Sequence, residues 1–258
     1  MVNGLPLISV VIPVKNGENY LESAINSVIN QDYENFELII GINPSTDGTQ
    51  KIANGYKDHP KIKVVEFKDS VNMPENFNRS ALLTKGKYLK FLCHDDLLMP
   101  NNLMQLSSIM EKYESVGLVT CYEKMIQSKD YTRGEKSFGN LVNISSIRAL
   151  YRFFKYNNWV GGPSAVLIRT ASFRHHGFKS YLECAFDLEY WLRICMSNEI
   201  YIVNEVLFQS RVHENQGSNH CQQGGFKKDL RKIRRNFVFT YIKEKFKSIK
   251  VLIIDSFG

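Results

Sequence analysis

Apolar and polar positions along the first half of the chain switch period at short intervals. Ile8 to Ile12 reads as a buried strand, after which Leu21, Ala24, Ile25, Val28 and Ile29 recur at helical spacing. Phe36 to Ile42 is a second apolar run. Ser45-Thr46-Asp47-Gly48 then supplies turn and N-cap chemistry for a helix reaching about Tyr56, and Ile62 to Phe67 reads as a third strand. The pattern continues with a helix over Glu75 to Leu83, a strand over Tyr88 to Leu92, a helix over Asn101 to Tyr113 and a strand over Val116 to Tyr122. Such alternation needs crossover helices on both faces of a mainly parallel sheet, so the predicted class is α/β. The second half is less regular. It predicts a helix near Ser145 to Lys155, a strand over Ala165 to Arg169, a helix over Asp187 to Met196, and one or two strands over Ile200 to Gln209. With neither a linker nor a repeat, the simplest parse is one domain over residues 1–225 and a C-terminal extension over 226–258.

Composition removes several classes of function. Of 258 residues, 43% are hydrophobic, enough for a sizeable core, yet no run approaches the roughly 18 apolar residues of a membrane span. Even Val251-Leu252-Ile253-Ile254 stops at Asp255. Leu5 to Val14 carries Pro6 and Pro13 and lacks a basic leader, which favours a first strand over a signal peptide, so a cytoplasmic location is expected. Five cysteines without a C-x-x-C pair predict reduced thiols in the core or a pocket, with neither a disulfide scaffold nor structural zinc.

The net charge of +7 is a property of the tail: ten Lys/Arg face only Asp229 and Glu244 between Phe226 and Lys250. A nearly neutral body lacks the basic footprint that grips phosphate backbones, which argues against nucleic acid as a partner. Within the tail, Phe226, Leu230, Ile233, Phe237 and Tyr241 recur at helical spacing. Two outcomes fit: a helix packed on the domain with its basic face in solvent, or peripheral attachment of residues 226–250 to the anionic inner face of a membrane.

In open parallel sheets ligands bind beyond the carboxyl ends of the strands. Three polar clusters lie there: Pro13-Val14-Lys15-Asn16, Asn43-Pro44-Ser45-Thr46-Asp47 and Cys93-His94-Asp95-Asp96. Adjacent carboxylates repel unless a cation or donors balance them, and oxygen ligands of this kind suit Mg²⁺ or Mn²⁺ bridging to a diphosphate. The plainer alternative is a helix cap beside a solvated acid.

Taken in order, Ile12-Pro13-Val14-Lys15-Asn16, Ser27, Gln31, Phe36 to Ile40, Ser45-Thr46-Asp47-Gly48-Thr49, Asn78, Gly86-Lys87-Tyr88 and His94-Asp95-Asp96 resemble the family 2 glycosyltransferases. The resemblance runs from about Leu7 to Pro100 and resumes from Gly161 to His213. It implies the GT-A fold, a single α/β domain with a nucleotide-sugar-binding half over about 1–122 and an acceptor and catalytic-base half over 123–225. Pro13, Val14, Lys15, Asn16 and Asn78 are then expected on the nucleotide-sugar side. Asn43 stands where the family places a base-reading acid. Its amide oxygen still accepts from uracil N3–H, but its donors leave thymidine, cytidine and guanosine open beside a favoured UDP-sugar. Ser45 and Asp47 are expected to cap the following helix.

The family's acidic motif is D-x-D or a pair of acids, and here Cys93 replaces the first acid. The resemblance makes Asp95 the ligand for Mn²⁺ or Mg²⁺, places His94 beside the ribose or diphosphate and gives Asp96 the orientation of the loop. With one carboxylate fewer, cation binding without nucleotide is expected to be weak. Phe186-Asp187 resembles the family's E-D motif with Phe replacing Glu, which makes Asp187 the catalytic base. Glu189 is the competitor, turned to another face of the helix. Gly161, Gly162, Glu189 and Trp191 are expected on the donor-sugar or acceptor side. Arg211-Val212-His213 resembles an R-x-H element in which Arg211 reaches the diphosphate and His213 the metal, and residues 214–225 read as a loop able to close over the donor.

The implied activity is inverting transfer of a sugar from a nucleotide diphosphate to a glycan or lipid-linked glycan hydroxyl. Two alternatives stay open. A sugar nucleotidyltransferase would need a glycine-rich loop after the first strand, where Val14 to Glu18 holds one glycine. A degenerate nucleotide-sugar-binding module is suggested by Asn43, Cys93 and Phe186 at normally acidic positions.

Overall fold

The computed structural model describes residues 4–126, 151–153, 155–214, 216 and 221–237. The helix expected over Ser145 to Lys155 lies mostly outside them, as do the tail beyond residue 237 and part of the 214–225 loop.

Eight strands form one sheet: β1 (Ile8–Val14), β2 (Phe36–Ile42), β3 (Ile62–Glu66), β4 (Tyr88–Phe91), β5 (Leu97–Leu98), β6 (Val116–Ile126), β7 (Val166–Arg169) and β8 (Glu199–Arg211). Their order is β3-β2-β1-β4-β7-β6-β8-β5. The first four run parallel, β7 runs against both its neighbours, β6 and β8 are parallel, and β5 pairs antiparallel with β8. This is the expected α/β architecture, with a mixed sheet. All seven residues of β1 are buried, as a strand covered on both faces requires.

The helices are α1 (Leu21–Ile29), α2 (Thr49–Asn54), α3 (Met73–Ala81), α4 (Asn102–Lys112), α5 (Thr170–His176), α6 (Phe186–Ser197) and α7 (226–237). α3 starts two residues earlier than its apolar pattern suggests, because the Asn72 side chain accepts from the Glu75 N–H at 3.1 Å and Pro74 fits the first turn. Gly86, in the turn before β4, is required by close approach: a Cβ there would lie 2.6 Å from the Ser9 nitrogen and 2.7 Å from the Leu7 oxygen. Ile200 to Gln209 belongs to one strand, β8, whose register against β6 shifts around Tyr122.

An aromatic cluster joins the two halves. Phe77 of α3 lies 5.2 Å from Phe91, 5.8 Å from Phe178 and 5.6 Å from Phe186 between ring centroids, and Phe178 contacts Phe173, Tyr190 and Trp191. Phe186, at the position where the family carries Glu, is 6% exposed and fills this apolar socket. The described part of the tail packs on the domain: Ile233 is 3% exposed, and Leu230, Ile233 and Phe237 meet Leu188 and Leu192 of α6 around a small apolar crevice. Lys227, Lys228, Arg231, Arg234 and Arg235 face outward.

One expectation is corrected. Cys184 and Cys221 form a disulfide, with Cα atoms 5.4 Å apart, so among the described residues only Cys93, Cys121 and Cys195 are free thiols. Thirty-seven residues separate the partners, and no spacing rule reveals such a pair. The bridge fastens the end of the 214–225 segment beside the start of α6.

Candidate active site

β1 and β2 end level, with Val14 opposite Ile42, so the loops that follow them meet at the carboxyl edge of the sheet. Asn16 adopts φ 51°, in the left-handed region that Asn tolerates. Its side-chain oxygen accepts from the Thr46 N–H at 2.9 Å and its own N–H donates to Ser45 Oγ at 3.1 Å. Asp47 accepts from the Glu18 and Thr49 N–H groups at 3.0 Å each, the second at the first residue of α2, whereas Ser45, expected to cap the same helix, donates to the Asn43 carbonyl at 2.8 Å instead. Lys15 is exposed at this rim, with Ser70 at 3.4 Å, while Pro13 and Val14 are buried in β1.

Asn43 and Asn78 are placed differently from the expectation that they face the donor. Asn43 is 2% exposed, donates to the Val71 carbonyl at 2.8 Å and accepts from the Val71 N–H and from Arg79 at 2.8 Å. Arg79 lies 3.8 Å over the Phe67 ring, so a stacked guanidinium backed by Asn43 forms the β2–β3 rim. Asn78 donates to the Phe178 carbonyl at 2.8 Å and accepts from its N–H at 2.7 Å. Both amides are spent on the protein itself, and they shape the cleft by fixing the loop at Val71 and the segment at Phe178.

The loop after β4 carries the acidic cluster. One ligand atom from each of Cys93, Asp95 and Asp96 falls within 4.8 Å of the others. Ser164 holds this loop: its hydroxyl accepts from the Cys93 N–H at 3.0 Å, and its carbonyl accepts from the Lys90 ammonium at 2.5 Å. Lys90 is fully buried, which lowers its pKa to about 8. Burial, reinforced by Asp95, pushes Asp96 up to about 7, and burial also carries the Cys93 thiol well above its ordinary value. Burial lowers His94 and so favours its neutral imidazole. These acids thus sit in a poorly solvated pocket where a cation would relieve their repulsion.

The R-x-H element folds over this pocket. His213 Nε2 lies 3.0 Å from Asp95 Oδ2, and its ring is 4.8 Å from Tyr20. The Arg211 N–H donates to Asp96 at 3.3 Å, and its guanidinium bonds Ser23 Oγ at 2.9 Å and lies 4.9 Å over Tyr20. Asp95, Asp96, His94, Arg211 and His213 therefore come together. The two carboxylates and the thiol are a donor set of the kind that fits a divalent cation, with the His213 imidazole against Asp95.

Asp187 opens α6 on the other wall and is 8% exposed. It accepts from its neighbour's N–H, Leu188, at 2.7 Å and from Asn158 Nδ2 at 3.0 Å, while burial raises its pKa to about 6. Asn158 also accepts from the Gly161 N–H at 3.3 Å, and Trp191 Nε1 donates to the Gly161 carbonyl at 3.1 Å. Gly161 has φ +101°, a conformation that favours glycine. Trp191, fully buried, thus positions the Gly161-Gly162 loop from behind. Glu189 is bound to Arg193 by contacts of 2.8 to 3.0 Å, and Arg193 continues to the carbonyls of His176 and Gly177. Of the two acids in the first turn, Glu189 already has a cationic partner, whereas Asp187 keeps only neutral donors. Sequence reasoning missed Asn158, Arg79, Lys90 and Tyr20, whose roles here depend on partners distant in the chain: Asp187, Asn43, Ser164 and Arg211.

Comparison with known proteins agrees with this architecture. The profile of glycosyl transferase family 2 matches residues 9–177. An uncharacterised glycosyltransferase of Rickettsia typhi is 29% identical over 222 residues, covering 83% of this chain and 66% of the relative. One from Rickettsia felis is 30% identical over 231 residues, covering 84% of this chain and 37% of the relative. The chain thus spans between about a third and two thirds of these relatives. Among solved structures, S. aureus TarS 1-349 in complex with UDP superposes with TM-score 0.69 at 19% identity, covering 88% of this chain and 64% of that one. The mannosyltransferase PcManGT from Pyrobaculum calidifontis, in complex with GDP-Man and Mn²⁺, gives 0.65 at 16%, covering 88% and 63%. With the profile covering well over half of its length, the chain belongs to glycosyl transferase family 2.

Proposed function

We propose that the protein is an inverting, cation-dependent glycosyltransferase. It moves a sugar from a nucleotide diphosphate, a UDP-sugar by preference, to a hydroxyl of a glycan or lipid-linked glycan in surface polysaccharide or glycan synthesis. The observation that carries the reading is the pairing of two walls: an acidic, partly desolvated cluster on the 93–96 loop, and Asp187, a buried carboxylate held by the neutral donors Asn158 and the Leu188 N–H. Nucleotide-bound TarS and the GDP-Man and Mn²⁺ complex of PcManGT support a nucleotide-sugar donor, and the second keeps a guanosine donor in play.

The proposed division of labour rests on this arrangement of residues. Asp95 and Asp96 would hold the cation, with His213 beside Asp95, and a bound cation would neutralise charge on the departing diphosphate. Arg211, fixed by Ser23 and Tyr20, adds a permanent positive charge on the same side. Asp187 takes the proton of the acceptor hydroxyl as its oxygen attacks the anomeric carbon from the face opposite the nucleotide. Asn158 and the Leu188 N–H orient that carboxylate, leaving its remaining lone pairs for the acceptor.

Calorimetric titration of UDP, GDP, CDP and dTDP, each with and without Mn²⁺, tests the reading. One nucleotide is expected to bind, and to bind about tenfold or more tightly with Mn²⁺. If none binds to the folded protein, the site is no donor site and this proposal fails; binding without transfer or hydrolysis would instead favour the non-catalytic binding module.

A further inference from the structure

The three free thiols occupy unlike surroundings. Cys121 and Cys195 are buried within the hydrophobic core, the ordinary place for a cysteine acting as a small apolar side chain. Cys93 is only partly buried, and its Sγ shares a 4.8 Å cluster with oxygens of Asp95 and Asp96. An apolar role does not explain a thiol facing two acids. The position is also fixed: the Cys93 N–H is held by Ser164 Oγ at 3.0 Å, and Ser164 is in turn held by buried Lys90. Across the cluster, the imidazole of His213 stands 3.0 Å from Asp95. One sulfur, two carboxylates and a nearby ring nitrogen make a mixed soft and hard donor set, unlike the all-oxygen sets that suit Mg²⁺.

We infer that Cys93 is itself a cation ligand, and that its sulfur turns the site from Mg²⁺ toward thiophilic divalent ions, with Zn²⁺ and Co²⁺ ahead of Mn²⁺ and all of them ahead of Mg²⁺. The inference rests on the proposed cation-dependent transferase and deepens it. When the cation binds, the Cys93 S–H bond breaks, a sulfur–metal bond forms, and the proton passes to solvent, so no oxidant or reductant is needed. Asp95 and Asp96 complete the set as oxygen ligands, and His213 either joins them or orients Asp95 from outside. Replacement of the first acid of the motif is then a change of cation preference and not only a loss of charge.

The test is Co²⁺ titration of the intact chain, followed by near-ultraviolet absorption and by calorimetry, for the wild type, Cys93→Ser and Cys93→Asp. Circular dichroism checks that each variant is folded. The wild type is expected to develop a thiolate-to-cobalt charge-transfer band that equimolar Zn²⁺ removes and that about tenfold excess Mg²⁺ does not. C93S is expected to lose the band and weaken Co²⁺ binding about tenfold or more. C93D is expected to show no band and to let Mg²⁺ compete with Co²⁺. Heat of Co²⁺ binding without the band, a band that persists in C93S, or no binding of any divalent ion each overturns the inference. Nucleotide titration on the same samples keeps the two readings apart. Nucleotide binding without the band leaves the transferase proposal standing, whereas the band without nucleotide binding sinks that proposal and spares the sulfur ligand.

Discussion

Asp187→Asn is expected to lower turnover by about 10²–10⁴-fold while leaving nucleotide affinity within about twofold, because the amide keeps the shape of the carboxylate but cannot take a proton. The wild-type rate should fall on the acid side with a midpoint near pH 6, the value to which burial raises this carboxyl. Stability should move in the opposite sense to activity. The folded-state pKa lies above the ordinary carboxylate value of 3.8, so the folded protein holds its proton more tightly than the unfolded chain. Asp187 therefore costs nothing below about pH 4 and increasingly destabilises the fold as pH rises to 6, by about 3 kcal/mol in all. D187N, which does not ionise, should gain stability relative to wild type across that window, read as the difference in melting temperature at pH 4 and pH 7.5. Glu189→Gln is the control. It breaks the pairing with Arg193 and should lower stability without shifting the pH midpoint of turnover. A pH midpoint that moves with Glu189 and not with Asp187 would reassign the base.

Asp95→Asn is expected to remove the cation-dependent part of nucleotide binding and to lower turnover by about 10²–10³-fold, since the carboxylate beside His213 is the proposed oxygen ligand of the cation. Binding of nucleotide in the presence of a chelator should be unchanged, because Arg79 and the loop at Asn16 do not depend on Asp95. Calorimetry with Mn²⁺ and with chelator separates these contributions. Equal loss under both conditions would make Asp95 a structural residue of the loop.

The framework of the fold was legible because its central strands, β1, β2 and β4, are buried on both faces. β1 and β2 appear as continuous apolar runs, and β2 matches its predicted limits at Phe36 and Ile42. β5 escaped because Leu97–Leu98 is too short to show a period, and α5, seven residues long, has only Thr170 and Phe173 buried. At the site, the strand-end rule singled out the 93–96 loop, and the resemblance to the family's E-D motif singled out Asp187. Roles that depend on distant partners were not legible. Asn43 reads as a base contact until Val71 and Arg79 are seen to occupy its amide. Phe186 reads as a lost acid until the ring of Phe178 appears 4.9 Å away. Asn158 carries no local signal, and its bond to Asp187 spans 29 residues.

The central claim, in-line displacement assisted by Asp187, is tested most directly by the anomeric configuration of the sugar released when water replaces the acceptor. Proton NMR of freshly formed product, recorded before mutarotation, should show the anomer opposite to that of the nucleotide-bound donor, at a rate that D187N abolishes. Release of the same anomer as the donor, or inverted product formed equally fast by D187N, would contradict the account.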